Sequence, residues 1–168
     1  MSKSVSADAV AVAVACTFSL GSVASYAAVA VAKEGKYDDM ICYAGVQQAL
    51  SPVKGQIAGS YHVYGSPVPK QGDLFLNMSG QCIGVYKIIG DEFLDTGACS
   101  FTDADGDAFF GTYVRAKGNE PGQWKVTGGT GKYEGMQSTG GFMPETQIPS
   151  PTGVSQLCVK GWGSWKLR

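Results

Sequence analysis

The stretch that decides the fold is Cys82–Cys99, which reads CIGVYKIIGDEFLDTGAC. Two runs rich in apolar and aromatic residues flank Gly90-Asp91, a pair that suits a two-residue β-hairpin turn. When the register of that turn is followed back along both strands, Cys82 lies directly opposite Cys99. The two cysteines fall on a pair without direct hydrogen bonds, where facing Cα atoms are about 4.5 Å apart and within reach of a disulfide. The stretch therefore predicts an antiparallel hairpin carrying a Cys82–Cys99 disulfide.

The rest of the chain after residue 55 has the same texture. Short apolar or aromatic runs are separated by Gly, Pro or Asp at roughly 8–12-residue intervals, the spacing of an all-β sandwich or barrel. The predicted strands are Gln56–Tyr64, Asp73–Met78, Gln81–Ile89, Glu92–Thr102, Ala108–Ala116, Gln123–Thr127, Gly135–Phe142 and Ser155–Leu167. Asp105-Gly106 predicts the turn of a second hairpin, and the prolines of Pro144–Gly153 predict a loop. A meander of about eight antiparallel strands closes most economically into a small barrel, since closure removes exposed edges.

The N-terminal part of the 168-residue chain differs in composition. An uncharged run, Ala9–Ala32, follows a short head containing Lys3 and ends in small residues spaced as in a signal-peptidase site. Residues 1–32 therefore predict a signal peptide; a retained membrane anchor and a cytoplasmic helix are the alternatives. Residues 33–54 are predicted to be an N-terminal extension with a short helix at Tyr43–Leu50, and residues 55–168 the barrel domain. After processing, no stable membrane span is expected.

Cysteine usage agrees with export. Of the five cysteines, Cys16 lies in the predicted signal peptide, which leaves an even four in the mature chain. Four cysteines in an exported chain predict two disulfides, with three connectivities open in principle. Because the hairpin pairs Cys82 with Cys99, elimination pairs Cys42 with Cys158. The expected location is the periplasm or the outside of the cell.

Composition and motifs exclude several function classes. With 13 Lys and Arg against 14 Asp and Glu, the chain lacks the basic excess of a nucleic-acid-binding protein. The run Thr127–Tyr133 resembles a phosphate loop, but Val126 and Tyr133 stand where Walker A needs Gly and Ser or Thr, so no nucleotide cofactor is expected. A single histidine excludes a zinc site built from several histidines. Asp103–Asp107 (DADGD) invites a calcium interpretation, but its glycine comes too early for an EF-hand. A turn capped by its own aspartates is favoured there over a bound cation.

Candidate site residues come from the centres of the predicted strands. His62, Tyr86 and Arg115 are the candidate catalytic residues, because they are the polar groups able to move a proton or hold an anionic or carbonyl oxygen. Tyr64, Tyr113 and Trp124 are the candidate ligand-binding residues, since aromatic walls suit an apolar or aromatic ligand. Strand alternation alone leaves open which face is inward, and a structural or solvent-facing role is the alternative for His62 and Tyr64. No metal is expected.

Three stretches resemble secreted bacterial proteins of the allene-oxide-cyclase/dirigent barrel type. They are QCIG at Gln81–Gly84, TGACSFTDADGD at Thr96–Asp107 and WKVTGGTGKYEG at Trp124–Gly135, within a matching region from Gly80 to Phe142. The resemblance implies an eight-stranded antiparallel barrel with a central cavity, and plant members are often oligomeric, so a homo-oligomer is one expectation. It transfers no mechanism, since no motif here matches the catalytic residues of the plant cyclases.

Two functions follow as expectations. The first is a lyase, isomerase or cyclase acting on a small apolar or phenolic compound without a metal or nucleotide cofactor. The second is a non-catalytic exported protein that binds a small hydrophobic or aromatic ligand, or a partner, with the same barrel. Fold analogy alone does not decide between them.

Overall fold

Pairing of each strand with the next, and of the last strand with the first, closes the chain into an antiparallel barrel of eight strands. A computed structural model describes residues 32–51, 53–71, 74–118 and 120–168. The strands are β1 (Glu34–Leu50), β2 (Gln56–Gln71), β3 (Ser79–Ile89), β4 (Glu92–Thr102), β5 (Ala108–Arg115), β6 (Gly122–Gly129), β7 (Gln137–Gln147) and β8 (Val154–Lys166), with one short 3₁₀ helix at Gly131–Tyr133. Each strand pairs with the next, and β8 pairs with β1. The predicted all-β fold and closed meander are confirmed; residues 1–31 of the predicted signal peptide lie outside the described residues.

Both predicted disulfides are present. In the β3–β4 hairpin Ile89 faces Glu92 and Cys82 faces Cys99, as the Gly90-Asp91 turn predicts. The Cys82–Cys99 bridge joins Cα atoms 4.1 Å apart, and both residues are buried in the barrel interior. The Cys42–Cys158 bridge joins β1 to β8 with Cα atoms 3.9 Å apart, on the outer face.

The segment predicted to be an N-terminal extension is instead the first strand. β1, Glu34–Leu50, pairs with β2 on one side and β8 on the other, and the helix predicted at Tyr43–Leu50 is absent from it. The helix prediction was wrong because the interior side of β1 is partly polar. Asp39 and Gln47 point inward, whereas Met40 and Val46 lie on the outer side. The sequence therefore lacks the pattern of apolar inward and polar outward residues that identifies a strand.

The segment predicted as a strand at Asp73–Met78 is a turn that plugs one end of the barrel. Leu74, Phe75 and Met78 are buried there, and Asp73 lies outside the described residues. The ring of Phe75 packs edge-on against Tyr37, Phe101 and Phe109, with ring centroids 5.1, 5.0 and 5.6 Å away. Its apolar residues are therefore buried by capping the barrel and not by strand pairing. We call this the closed end.

The predicted loop at Pro144–Gly153 is shorter than expected, because β7 continues to Gln147. Its register shifts between Pro144 and Thr146, which fits the rule that proline is tolerated in a sheet at bulges. The β7–β8 loop lies at the end of the barrel opposite the closed end, together with the turns between β1 and β2, β3 and β4, and β5 and β6. We call this the mouth.

Candidate functional site in the barrel cavity

A cavity of about 510 Å³ occupies the barrel between the closed end and the mouth. Most of its wall is apolar and aromatic, from residues on all strands; among them are Ile41, Val63, Phe93, Phe101, Phe142 and Val159. A space of this size, mostly apolar with few polar groups, is typical of a small-molecule site.

Two tyrosines from opposite sides of the β3–β4 hairpin meet over a pair of glycines. Tyr61 on β2 faces Gly84, Gly84 faces Gly97, and Gly97 faces Tyr113 on β5. A Cβ atom at either glycine would overlap the Tyr113 hydroxyl, and one at Gly84 would also strike the Tyr61 ring. The two glycines therefore create the space in which both rings lie across the sheet, and the hydroxyls of Tyr61 and Tyr113 are hydrogen-bonded to each other.

The tyrosine pair is hydrogen-bonded to a carboxylate. The Tyr61 hydroxyl donates to Asp95 Oδ1 at 2.7 Å. Because a phenol has a single proton, Tyr113 is left to donate to the Tyr61 oxygen. The result is a chain in which Tyr113 donates to Tyr61 and Tyr61 donates to Asp95. A proton arriving at the Tyr113 oxygen can pass along it to the carboxylate.

Burial sets the protonation states of this chain. Removal from water raises the pKa values of Tyr61 and Tyr113 far above the usual tyrosine range, and the nearby Asp95 charge adds to both. Both phenols therefore stay protonated at neutral pH. Burial also raises the pKa of Asp95, an effect that the Tyr61 hydrogen bond and the Arg115 charge partly offset. A carboxylate with a raised pKa is a stronger base than one in water.

Arg115 lies at the mouth beside this chain, but its guanidinium is already engaged. It faces Asp95 across β4 and β5, and its Nε donates to the Glu120 carbonyl at 3.0 Å. One of its terminal nitrogens, Nη2, donates to the Gly118 carbonyl, and its Cζ lies 5.1 Å from the ring centre of Phe93. Arg115 thus binds two carbonyls of the loop between β5 and β6 and supplies positive charge to Asp95.

A second carboxylate, Asp39, faces the cavity from β1. It is 1% exposed, and neither of its oxygens reaches hydrogen-bond geometry with a described residue. Burial raises its pKa to about 6 and the Asp38 charge adds to this, whereas the backbone N–H groups of Gly161 and of Asp39 itself lie close enough to offset part of the rise without forming well-aligned hydrogen bonds. Gly161, directly opposite, gives the carboxylate its room, because a Cβ there would overlap Asp39 Oδ1.

The structure divides the sequence-predicted site residues between the two faces. Tyr86, Arg115, Tyr113 and Trp124 line the cavity. His62 and Tyr64 do not, because Tyr61 and Val63 occupy the inward positions of β2 and alternation turns their neighbours outward. There the His62 and Tyr64 rings lie 4.7 Å apart, and Tyr64 is exposed. We therefore do not include these two in the site.

Sequence reasoning missed Tyr61, Asp95 and Asp39. A signal for the first two was present in the hairpin. If the Cys82–Cys99 pair faces inward, the period of two places Tyr86 and Asp95 on the same inner face, since they also face each other. Tyr61 then follows from the neighbouring strand. Asp39 carried no such signal, because its segment was not assigned to the barrel.

The DADGD turn behaves as the favoured interpretation predicts. Asp103 Oδ1 accepts from the backbone N–H groups of Asp105 at 2.9 Å and Asp107 at 3.1 Å. The Lys132 ammonium lies 2.7 Å from an Asp103 oxygen and 2.6 Å from an Asp105 oxygen, so a side-chain cation holds this turn to the glycine-rich connection after β6. Among the described residues no cluster of three or more His, Cys, Asp or Glu is arranged to hold a metal ion.

Within the ranges that the structure covers, no helix has the length and apolar character needed to cross a membrane. No family model matches the chain, and no curated protein matches it significantly. Among solved structures, the pterocarpan synthase dirigent protein GePTS1 is similar in fold, with a TM-score of 0.51 and 13% sequence identity over 81% of this chain and 93% of that one. The resemblance inferred from the sequence is thus confirmed at the level of the fold. The chain forms an eight-stranded barrel of the dirigent type.

Proposed function

We propose that the barrel binds a small apolar or phenolic compound in its cavity and catalyses a proton-transfer reaction on it, as a lyase, isomerase or cyclase. The observation that carries the proposal is the chain from Tyr113 through Tyr61 to Asp95 inside a largely apolar cavity. A neutral phenol donor and a carboxylate with a raised pKa in one hydrogen-bonded chain are the groups that general acid-base catalysis needs. The solved dirigent protein is named as a pterocarpan synthase, which supports a phenolic substrate here by analogy only.

The residues have distinct proposed roles. The Tyr113 hydroxyl contacts a ligand oxygen or accepts its proton, Tyr61 relays the proton, and Asp95 stores it. Tyr86, whose ring lies 6.3 Å from that of Tyr61, and Trp124 hold the apolar body of the ligand. The Trp124 indole N–H is buried and has no hydrogen-bond partner among the described residues.

The alternative is a ligand-binding protein without catalysis, and one observation favours it. Every proton of the Tyr113–Tyr61–Asp95 chain already has an acceptor within the protein, an arrangement that a purely structural network would also show. Export to the periplasm or the cell exterior is part of both proposals, because two disulfides are stable in an oxidising compartment.

The test separates binding from turnover. The neutral fluorophore N-phenyl-1-naphthylamine reports cavity binding, and a panel of phenols and apolar compounds is screened first for its displacement and then for conversion. We expect Tyr113→Phe and Asp95→Asn to retain displacement but lose conversion, whereas Tyr64→Phe on the outer face changes neither. Displacement without conversion by the wild-type protein would establish the non-catalytic alternative, and no displacement would refute both.

A further inference from the structure

The mouth of the barrel is surrounded by exposed aliphatic side chains. They come from three of its four connections and from the strand ends beside them. The exposed fractions are 75% for Leu50, 53% for Val53, 36% for Ile57, 39% for Ile88, 42% for Ile89 and 40% for Ile148. We call these six residues the mouth rim. Exposed apolar groups that cluster in this way mark a contact surface for a membrane or another protein.

The rim is continuous with the cavity wall. Ile57 faces Ile88 across β2 and β3, and Ile88 faces Phe93 across β3 and β4. Ile57 and Phe93 also line the cavity. An apolar path therefore runs from the outer edge of the rim into the binding space without crossing a charged side chain of these strands.

The chemistry of the rim favours lipid over protein. Protein interfaces draw their binding energy mainly from Tyr, Trp and Arg, whereas the rim consists only of Leu, Val and Ile. It is also spread over separate turns around an opening, so it offers no groove for a helix or a strand. Charges near it balance in sign: Lys87 pairs with Glu92 and Lys117 with Glu120, each at 2.9 Å, and Lys54 in the β1–β2 turn is matched in number by Asp91 in the β3–β4 turn. Such an end has no charge preference and fits a zwitterionic bilayer surface.

We propose that the protein docks mouth-down on a lipid surface through the mouth rim, which enters the boundary between headgroups and acyl chains. This is the way in which peripheral proteins bury an apolar face of side chains. Docked in this way, the mouth opens towards the bilayer, and an apolar compound dissolved there reaches the cavity without crossing water. This last step rests on the proposed function, whereas the docking itself does not.

The test is sedimentation of the full chain with sucrose-loaded phosphatidylcholine vesicles. The rim variant Leu50→Asp/Ile89→Asp is compared with a wall variant, Val46→Asp/Ile83→Asp, which adds the same charge at outer-face residues that are 63% and 56% exposed. Each buried aliphatic side chain contributes about a factor of ten or more to partitioning. We therefore expect the rim variant to bind vesicles at least about tenfold more weakly than wild type, and the wall variant to bind like wild type. Equal binding by the two variants would overturn the proposal.

A second measurement reports the position of the rim relative to the bilayer. Binding of vesicles by residues 1–31 would therefore not produce its expected result. Tryptophan placed at the rim by Ile89→Trp should be quenched by brominated phosphatidylcholine, and tryptophan placed on the wall by Ile83→Trp should not. Quenching of both, or of neither, would overturn mouth-down docking. Light scattering without lipid provides the remaining check: self-association that is lost in the rim variant would identify the rim as a protein interface instead. Binding of N-phenyl-1-naphthylamine in solution by the rim variant shows separately that the cavity is intact.

Discussion

Replacing Asp39 with Asn should stabilise the protein at neutral pH. Folding moves this carboxyl from water to a site where its pKa is raised from 3.8 to about 6. The folded state then binds the proton more tightly than the unfolded state, so stability falls as pH rises from about 4 to about 6 and stays low above that. A shift of about two units corresponds to about 3 kcal/mol at 1.36 kcal/mol per unit. Asn keeps the shape and removes the charge that has no partner.

The measurement is urea unfolding followed by tryptophan fluorescence at pH 4, 5, 6, 7 and 8. We expect the free energy of unfolding of Asp39→Asn, minus that of wild type, to increase by about 2.5 kcal/mol between pH 4 and pH 8, with most of the change between pH 4 and 6. The other carboxylates titrate in both proteins and cancel in this difference. Asp91→Asn is the matched control, because it removes a carboxylate that is exposed in the turn between β3 and β4 and lies far along the chain from Asp39. A difference that does not change with pH would refute the reasoning.

Three further predictions concern the glycine pair, the outer disulfide and the Lys132 cluster. Gly97→Ala should cost about 1–3 kcal/mol of stability by overpacking and separate the Tyr61 and Tyr113 hydroxyls, so the ring signals of the two tyrosines should shift in two-dimensional NMR. Unchanged ring signals would contradict this, and Gly128→Ala, where a Cβ meets no atom within 4 Å, is the control. Cys42→Ser/Cys158→Ser should lower the free energy of unfolding, measured in urea, by about 4–5 kcal/mol, because the bridge closes a long loop with a sequence separation of 116. A loss under 1 kcal/mol would show that chain entropy is not the main effect of the bridge. Lys132→Met should destabilise the protein by about 1 kcal/mol and raise the pKa of Asp103, which Lys132 lowers against the effect of burial. Carbon-detected NMR titration measures the pKa of Asp103 in both proteins, and an unchanged pKa would contradict the prediction.

The hairpin was predictable because its information is local. Gly90-Asp91 fixes the register, and the register fixes which cysteines meet, so the fold class and both disulfides followed from the sequence. β1 was not predictable in this way. Its inward positions carry Asp39 as well as Tyr37 and Ile41, so the pattern that marks a half-buried strand is blurred by the cavity that the strand helps to build.

The site was predictable only in part for a related reason. Alternation gives two faces but does not say which one is inside. His62 and Tyr64 share one face of β2 and Tyr61 the other, and the inner face of the chain is decided by closure of the whole ring. Leu74 and Phe75 show the converse error: their apolar side chains are buried by capping the barrel, a tertiary role that a strand pattern imitates.

The Cys42–Cys158 bridge makes the chain between these residues a covalent ring. Every connection at the mouth, and every connection at the closed end, lies inside it. A single cut by a protease in any of these turns therefore linearises the ring but releases no fragment. A nicked barrel keeps all its strands on one molecule and separates into two pieces only after reduction, so a cut in an exposed loop need not cost the protein its cavity.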